Sequence, residues 1–400
     1  MKIGIFGGTF NPIHNGHVAL IGRMKQALSL DRVLVIPTAA PPHKDDADVA
    51  DGVHRLEMCR LALEACDGVE VSDMELSRGG KSYTIDTLRA LCTAYPDDEL
   101  ILLMGGDSFL TIKSWRCADE ILRLATIAAI ARRAGEENAL LAQSEQLNQQ
   151  GAHTVVVSCP EPMEVSSTAY RQDDSDEIPP AVADYIAQNG LYGHEIKIPV
   201  DLDELTAYLR EHLSQKRFTH TLNVASEAIR LAQKYGEDEH LAYLAGLLHD
   251  ICKEIPKEEQ WAMIEREPFA QNEAFRRSPP VWHGFAAAVF ARREFSVQNV
   301  AILNAVRYHT TGRGRMTRLE EIIYMADLVC AERDYPGVAA LRAKTYRSLP
   351  AALLESFSFA IGDLPKKGCF VLIDTAEAYN RYLLEAPADR SGNASEQPAT

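Results

Sequence analysis

The sequence predicts two folds in tandem: an α/β unit on a doubly wound parallel sheet, then an all-α unit. Three observations lead there. The chain has 400 residues, more than one hydrophobic core usually serves. Up to about Gly193, short β-rich runs alternate with amphipathic stretches, the pattern of a mainly parallel sheet with helices on both faces. After Gly193, helical periodicities follow one another with hardly a credible strand.

In the first part, strands are expected at Lys2–Phe6, Arg32–Pro37, Glu99–Gly105, Thr126–Ala131 and His153–Val157, with helices at Val53–Ala65 and Thr84–Ala94 among them. A sheet of this kind binds ligands at the carboxyl ends of its strands. In the second part the main helices are expected at Leu202–Leu213, His220–Tyr235, Glu239–Cys252, Lys257–Glu267, Gly284–Phe295, Val297–Tyr308 and Glu320–Glu332. The division is therefore residues 1–193, a linker at 194–199, a helical domain at 200–386 and a tail at 387–400. That tail is rich in Ser, Ala, Asn and Pro and is expected to be disordered. No internal repeat is found.

Composition narrows the function. Apolar residues make up 46% of the chain, enough for two cores, and the formal charge of −16 repels DNA, RNA and anionic lipid at long range. Small nucleotides are the expected partners, with no nucleic acid and no membrane; a homo-oligomer is left open. The eight cysteines form no C-x-x-C pair, so neither a zinc knuckle nor a secreted disulfide framework is expected. The N-terminus lacks the pattern of a signal peptide and no segment has a membrane-spanning run. A cytoplasmic location follows as the expectation.

The first strand empties into Gly7-Gly8-Thr9-Phe10-Asn11-Pro12-Ile13-His14-Asn15-Gly16-His17, with a helix pattern from about His17. Paired glycines let the backbone approach a phosphate, and the helix start offers free N–H groups and a positive dipole end. His14 and His17, three apart, can reach one phosphate together. The bland alternative is a glycine turn beside two surface histidines.

The combination resembles the nucleotidyltransferase superfamily of adenylyltransferases, whose H-x-G-H element is matched by His14-Asn15-Gly16-His17. Val165-Ser166-Ser167-Thr168-Ala169-Tyr170-Arg171 is similar to the I-S-S-T-x-x-R element of bacterial nicotinate-nucleotide adenylyltransferases. Pro42-His43-Lys44, Ser82–Leu88, Gly105-Gly106-Asp107-Ser108 and Trp115 match further, so the resemblance spans almost all of residues 1–193. It implies that His14 and His17 are catalytic and stabilise charge on the α-phosphate of ATP. It implies that Gly8, Thr9, Phe10, Lys44, Gly105, Asp107, Ser166, Ser167, Thr168 and Arg171 bind ATP and its phosphates. Thr84 and Trp115 would hold the pyridine nucleotide, and Mg2+ would accompany ATP. Taken singly, Lys44 reads as a solvated charge, Trp115 as core and Asp107 as a helix cap. The acidic stretch Gln172–Pro179 departs from the family pattern, which bears on specificity or rate.

In the helical half, His249-Asp250 stands inside the apolar run Ala245–Lys253. A buried carboxylate is costly unless paired or metal-bound; a plain His–Asp pair at a helix edge is the alternative. His220, His283, His309 and Asp327 complete an order H…HD…H…H…D that resembles the HD superfamily. Four histidines and two aspartates suffice for two cations, with donors suited to iron or manganese. Within that superfamily the chain is similar, over roughly residues 200–385, to the bacterial hydrolases that split diadenosine tetraphosphate into two ADP. H-D-x-x-K at His249–Lys253, H-T-T-G at His309–Gly312, and Arg333 six positions after Asp327 carry the likeness.

That resemblance implies His220, His249, Asp250, His283, His309 and Asp327 as metal ligands, and Lys253, Thr310 and Arg333 as phosphate contacts. Asp250 is the natural bridging and catalytic carboxylate, since one carboxylate can span two cations. Lys253 is expected one turn beyond His249 on the same helix face. His54, His153, His194, His212 and His240 read as surface or loop positions, His43 as intermediate, and Trp261, Met263 and Met325 as core. The expected function is bifunctional: ATP plus nicotinate mononucleotide gives deamido-NAD, and diadenosine tetraphosphate is hydrolysed. The alternatives are nicotinamide mononucleotide as acceptor and, for the HD half, another phosphate ester or a nucleotide-sensing role.

Overall fold

A computed structural model describes residues 1–39, 49–131, 135–158 and 178–385. The chain divides into two compact units, Met1–Glu195 and Ile196–Thr400. No helix among the described residues is long and apolar enough to cross a membrane.

The first unit is a six-stranded, wholly parallel sheet: β1 (Lys2–Gly8), β2 (Arg32–Pro37), β3 (Val69–Val71), β4 (Glu99–Gly105), β5 (Thr126–Ile130) and β6 (Thr154–Val157), in the order β3-β2-β1-β4-β5-β6. Strands of this type are buried on both faces and so read as continuous apolar runs. That is how Arg-Val-Leu-Val-Ile-Pro of β2 and Glu-Leu-Ile-Leu-Leu-Met-Gly of β4 look. The order runs one way from β1 to β3 and the other way from β1 through β4 to β6. With right-handed crossovers, this puts helices on opposite faces and opens a crevice between the carboxyl ends of β1 and β4.

β3 was not expected: its three residues are too few for a periodicity to show. The helices Met74–Arg78, Gly106–Leu110, Ala118–Leu124, Glu136–Gln149 and Pro180–Asn189 were likewise not singled out. The core of the unit is made by alternate strand residues, Ile3, Ile5, Leu34, Ile36, Leu102 and Met104, packed on Ile85, Leu88, Phe109 and Ile121.

The second unit is built of helices and the turns between them, with no strand among its described residues. Its site is carried by Gln215–Tyr235, Glu239–Leu248, Trp282–Glu294, Val300–Arg307 and Arg318–Val329. Side-chain N-caps start several of these helices, Ser214, Asp238, Asn299 and Thr317 each accepting a main-chain N–H. One expectation is corrected here. The helix at Glu239 ends at Leu248, so His249, Asp250 and Lys253 stand in the turns after it, not inside a helix reaching Cys252. Ile251 and Cys252 are as buried as the helix before them, so the apolar run continues through a segment that is no longer helical. The histidine at the start of the second unit's site, His220, lies inside Gln215–Tyr235 instead of opening it.

Candidate functional sites

In the first unit, β1 runs out at Gly8 and the chain turns through Phe10 into the helix Asn15–Ala27. His14 is the N-cap. Its ring accepts the His17 main-chain N–H at Nδ1 (3.3 Å), and the His17 ring accepts the His14 N–H in return at 3.3 Å. This reciprocal cap fixes both imidazoles and stacks them, with centroids 3.6 Å apart. Because each Nδ1 accepts, the ring proton of the neutral form sits on Nε2, where it can be donated to an anion. No acidic residue occupies the first turn, so the positive helix end is left for that anion.

A cavity of about 1140 Å3 opens beside this loop at the β1/β4 crevice, at the large end of ligand sites, which run to about 1,000 Å3. Gly8, Thr9, Phe10 and His17 line it from one side, Thr84 from a second, and Gly105 and Trp115 from a third. Of the expected residues, His14 is buried behind His17, and Asp107 is exposed in the first turn of Gly106–Leu110. Lys44, Ser166, Ser167, Thr168 and Arg171 lie outside the described residues, as do Pro42, His43 and most of Gln172–Pro179.

Two features of this site were not read from the sequence. Tyr83 lines the cavity, with the Arg116 guanidinium 4.5 Å from its ring centroid. Arg55, 1% exposed, donates to the carbonyls of Ala50 (2.8 Å), Thr9 (2.8 Å) and Ala39 (3.2 Å), tying the glycine loop to its neighbours. A helical pattern marks Arg55 only as a polar position, so nothing local announces that it is buried.

In the second unit, all six expected ligand residues come together. His220 Nε2 is 3.1 Å from Asp327 Oδ1 and 3.7 Å from Asp250 Oδ2; His249 Nε2 is 3.5 Å from the same Asp250 oxygen. The other oxygen, Oδ1, faces His283 Nε2 at 3.2 Å and His309 Nε2 at 3.6 Å. Among the described residues the six form two donor groups, His220/His249/Asp327 and Asp250/His283/His309, and a third group, His220/Cys330/Glu332, adjoins them on the other side of His220. Asp250 turns one oxygen to each of the first two.

The ring tautomers follow from what stands behind each histidine. His249, His283 and His309 donate Nδ1–H to the carbonyls of Gly246, Pro280 and Val306, each three residues upstream, at 2.7 to 2.8 Å. His220 donates Nδ1–H to the Glu332 carboxylate at 2.5 Å. In their neutral forms all four rings therefore point an unprotonated Nε2 inward. His220 Nε2, His249 Nε2 and Asp250 Oδ1 are buried with no hydrogen-bond partner, a costly arrangement unless a cation takes them. With nitrogen and oxygen donors only, the set fits a pair of transition cations.

Where no cation is bound, protons on the rings compensate the buried carboxylates instead: burial disfavours charge on His249, but Asp250 and Asp327 outweigh it and raise its pKa. Burial opposes charge on Asp250, but His249, His283 and His309 outweigh it and hold the carboxyl well below the usual range. Asp327 is lowered too, its burial overcome by His220, His249 and Arg333. Burial, with help from His309 and Lys253, depresses His283 to about 4, which keeps its ring a neutral donor at neutral pH.

Lys253 Nζ lies 3.0 Å from His283 Nε2 and 3.7 Å from Asp250 Oδ1, reaching the site from the turn and not from a helix face. Arg333 is bound to Asp327, by its carboxylate and by its carbonyl (2.7 Å). Thr310 has a buried hydroxyl with no hydrogen-bond partner. Arg217, not singled out as a contact, donates to Asp250 Oδ2 at 2.6 Å. Cys330 and Glu332 stand behind His220; burial pushes the Cys330 thiol up to about 12, so it stays protonated.

Residues 5–173 match the cytidylyltransferase-like family and residues 217–332 the HD domain. A relative in Carboxydothermus hydrogenoformans, named "Probable nicotinate-nucleotide adenylyltransferase", is 38% identical over 48% of this chain and 98% of its own length. The symmetrical bis(5'-nucleosyl)-tetraphosphatase of Bacillus subtilis is 38% identical over 44% of this chain and 95% of its own. The chain belongs to both families, one in each half. The adenylyltransferase half has a further relative of the same name in Citrifermentans bemidjiense, 48% identical over 33% of this chain; there the chain spans 61% of the relative's length. The adenylyltransferase family sits on the sheet unit and the HD family on the helical one.

Proposed function

We propose that the chain is a bifunctional nucleotide enzyme. The first unit transfers the adenylyl group of ATP to nicotinate mononucleotide, releasing pyrophosphate and deamido-NAD. The second splits diadenosine tetraphosphate with water into two ADP.

For the first unit, the observation that carries the reading is one cavity shared by the His17 loop and by Thr84 and Trp115. It is large enough to hold two nucleotides with the α-phosphate of ATP against the helix start. His17, which lines the cavity, donates from Nε2 to the charge that develops as the acceptor phosphate attacks and pyrophosphate leaves, and His14, buried and stacked on its ring, holds it there through the reciprocal cap. No covalent intermediate is needed, so positioning and charge stabilisation carry the rate. Lys44, Asp107, Ser166, Ser167, Thr168 and Arg171 complete the ATP contacts in this reading, and Mg2+ enters with ATP as part of the substrate.

For the second unit, the observation is the divided Asp250 carboxylate among four inward Nε2 atoms. His220, His249 and Asp327 would hold one cation, and His283 and His309 the other, with Asp250 shared; iron and manganese suit these donors. When bound, such cations supply Lewis acidity toward phosphoryl oxygens and lower the pKa of water. The chain itself contributes orientation and charge. The backbone carbonyls and Glu332 fix the rings, Lys253 stands beside His283 and Asp250, and Thr310 is the further phosphate contact in this reading. Arg333 acts through Asp327.

The test is product analysis on the intact protein. ATP with nicotinate mononucleotide should give deamido-NAD in preference to the nicotinamide product from a competing acceptor. Diadenosine tetraphosphate should give ADP and not ATP plus AMP. After chelator stripping and return to Mg2+ alone, adenylyl transfer should persist while ADP release waits for iron or manganese. ADP release at full rate with the chelator still present would count against the cation reading.

A further inference from the structure

Three of the four inward imidazoles are backed by main-chain carbonyls of their own segment. His220 is the exception: its Nδ1–H meets a carboxylate 112 residues away in sequence, Glu332 Oε1. The same oxygen accepts the Cys330 thiol at 3.3 Å. Glu332 stands on a braced turn. Arg342 donates to the carbonyls of Val329 (2.7 Å) and Cys330 (2.9 Å), and the Arg333 N–H donates to the Cys330 carbonyl at 3.0 Å. The carboxylate is thus held in place, and its bonds run to the His220 side of the site.

We propose that Glu332 is a positioning residue that tightens the cation position formed by His220, His249 and Asp327; the inference rests on the two-cation reading above. A neutral carbonyl behind an imidazole fixes its direction, whereas a carboxylate also makes the opposite nitrogen more basic. Of the two positions, only the one with His220 has this carboxylate backing. Loss of such a partner costs about ten- to a hundredfold in metal affinity.

Manganese(II) is titrated into the chelator-stripped full-length chain without nucleotide, with free ion followed by paramagnetic resonance, and likewise into Glu332→Ala and Glu332→Gln. The unsubstituted chain should bind two ions. In Glu332→Ala one dissociation constant should rise about ten- to a hundredfold and the other stay put. Glu332→Gln, whose amide oxygen still accepts from Nδ1 but carries no charge, should fall between. Melting should move little, because the Glu332 side chain is 35% exposed. Unchanged binding in Glu332→Ala, or equal weakening at both positions, would overturn the role of Glu332. Failure of the unsubstituted chain to bind two ions would instead overturn the two-cation reading beneath it.

Discussion

An imidazole can serve a phosphate as donor or a cation as lone pair, and the hydrogen bond at its other nitrogen decides which. In the first unit His14 and His17 accept main-chain N–H groups at Nδ1 and so present Nε2–H. In the second, His220, His249, His283 and His309 donate from Nδ1 and present a bare Nε2. The residue types and their order were legible in the sequence, but these opposite tautomers were not, since each depends on a partner that the fold supplies. The consequence for the first unit is direct. In the proposed reaction His17→Ala removes a donor at the reacting phosphate and should lower adenylyl transfer about a hundred- to a thousandfold, while stability falls only by the loss of half the reciprocal cap, about 0.5–2 kcal/mol. Near-normal turnover by pyrophosphate release would remove His17 from the mechanism.

At the scale of elements, the second site is built where helices end and cross. His249 and His309 follow the last turns of Glu239–Leu248 and Val300–Arg307, where carbonyls lack intrahelical partners and take the ring N–H instead. Gly284 permits the crossing of Trp282–Glu294: a Cβ there would meet the Arg307 carbonyl oxygen at 2.9 Å and the His309 ring at 3.1 Å. Gly284→Ala should therefore cost about 1–3 kcal/mol by overpacking and weaken manganese binding at the His309 position, both readable by melting and titration. An unshifted melt with intact two-site binding would contradict that packing.

A second prediction at this scale concerns His54, which the sequence marked as a surface position. It is half-buried and hydrogen-bonded with the Tyr185 hydroxyl at 2.9 Å, joining Gly52–Leu63 to Pro180–Asn189. Burial lowers its pKa, only partly offset by Asp51. A lowered folded value means that the unfolded chain takes the proton first. The contribution to stability is complete above the ordinary value of about 6.5 and is lost as pH falls toward the folded value. Denaturation of the first unit should thus ease between pH 7 and pH 5, and less so in His54→Gln. Equal pH slopes in the two proteins would sink this account.

For the whole molecule, the change from alternating strands to continuous helix was legible because the two hydrophobic periods differ so plainly. What escaped was local termination and long-range company. The end of the helix at Leu248 is hidden because Ile251 and Cys252 stay buried beyond it. Arg55 and Glu332 act through partners distant in sequence. Each candidate site lies wholly within one unit, and each unit has its own core. The central claim is therefore that one chain carries two separate active centres, the second organised by a single bridging carboxylate.

Asp250→Asn tests this most directly, because asparagine keeps the size of the side chain and removes the charge shared between the two donor groups. Bound transition metal, ADP release from diadenosine tetraphosphate and pyrophosphate release from ATP plus nicotinate mononucleotide are measured on one preparation. The account predicts loss of metal and of ADP release with pyrophosphate release unchanged. Full metal content with undiminished ADP release, or loss of both activities in a folded sample, would contradict it.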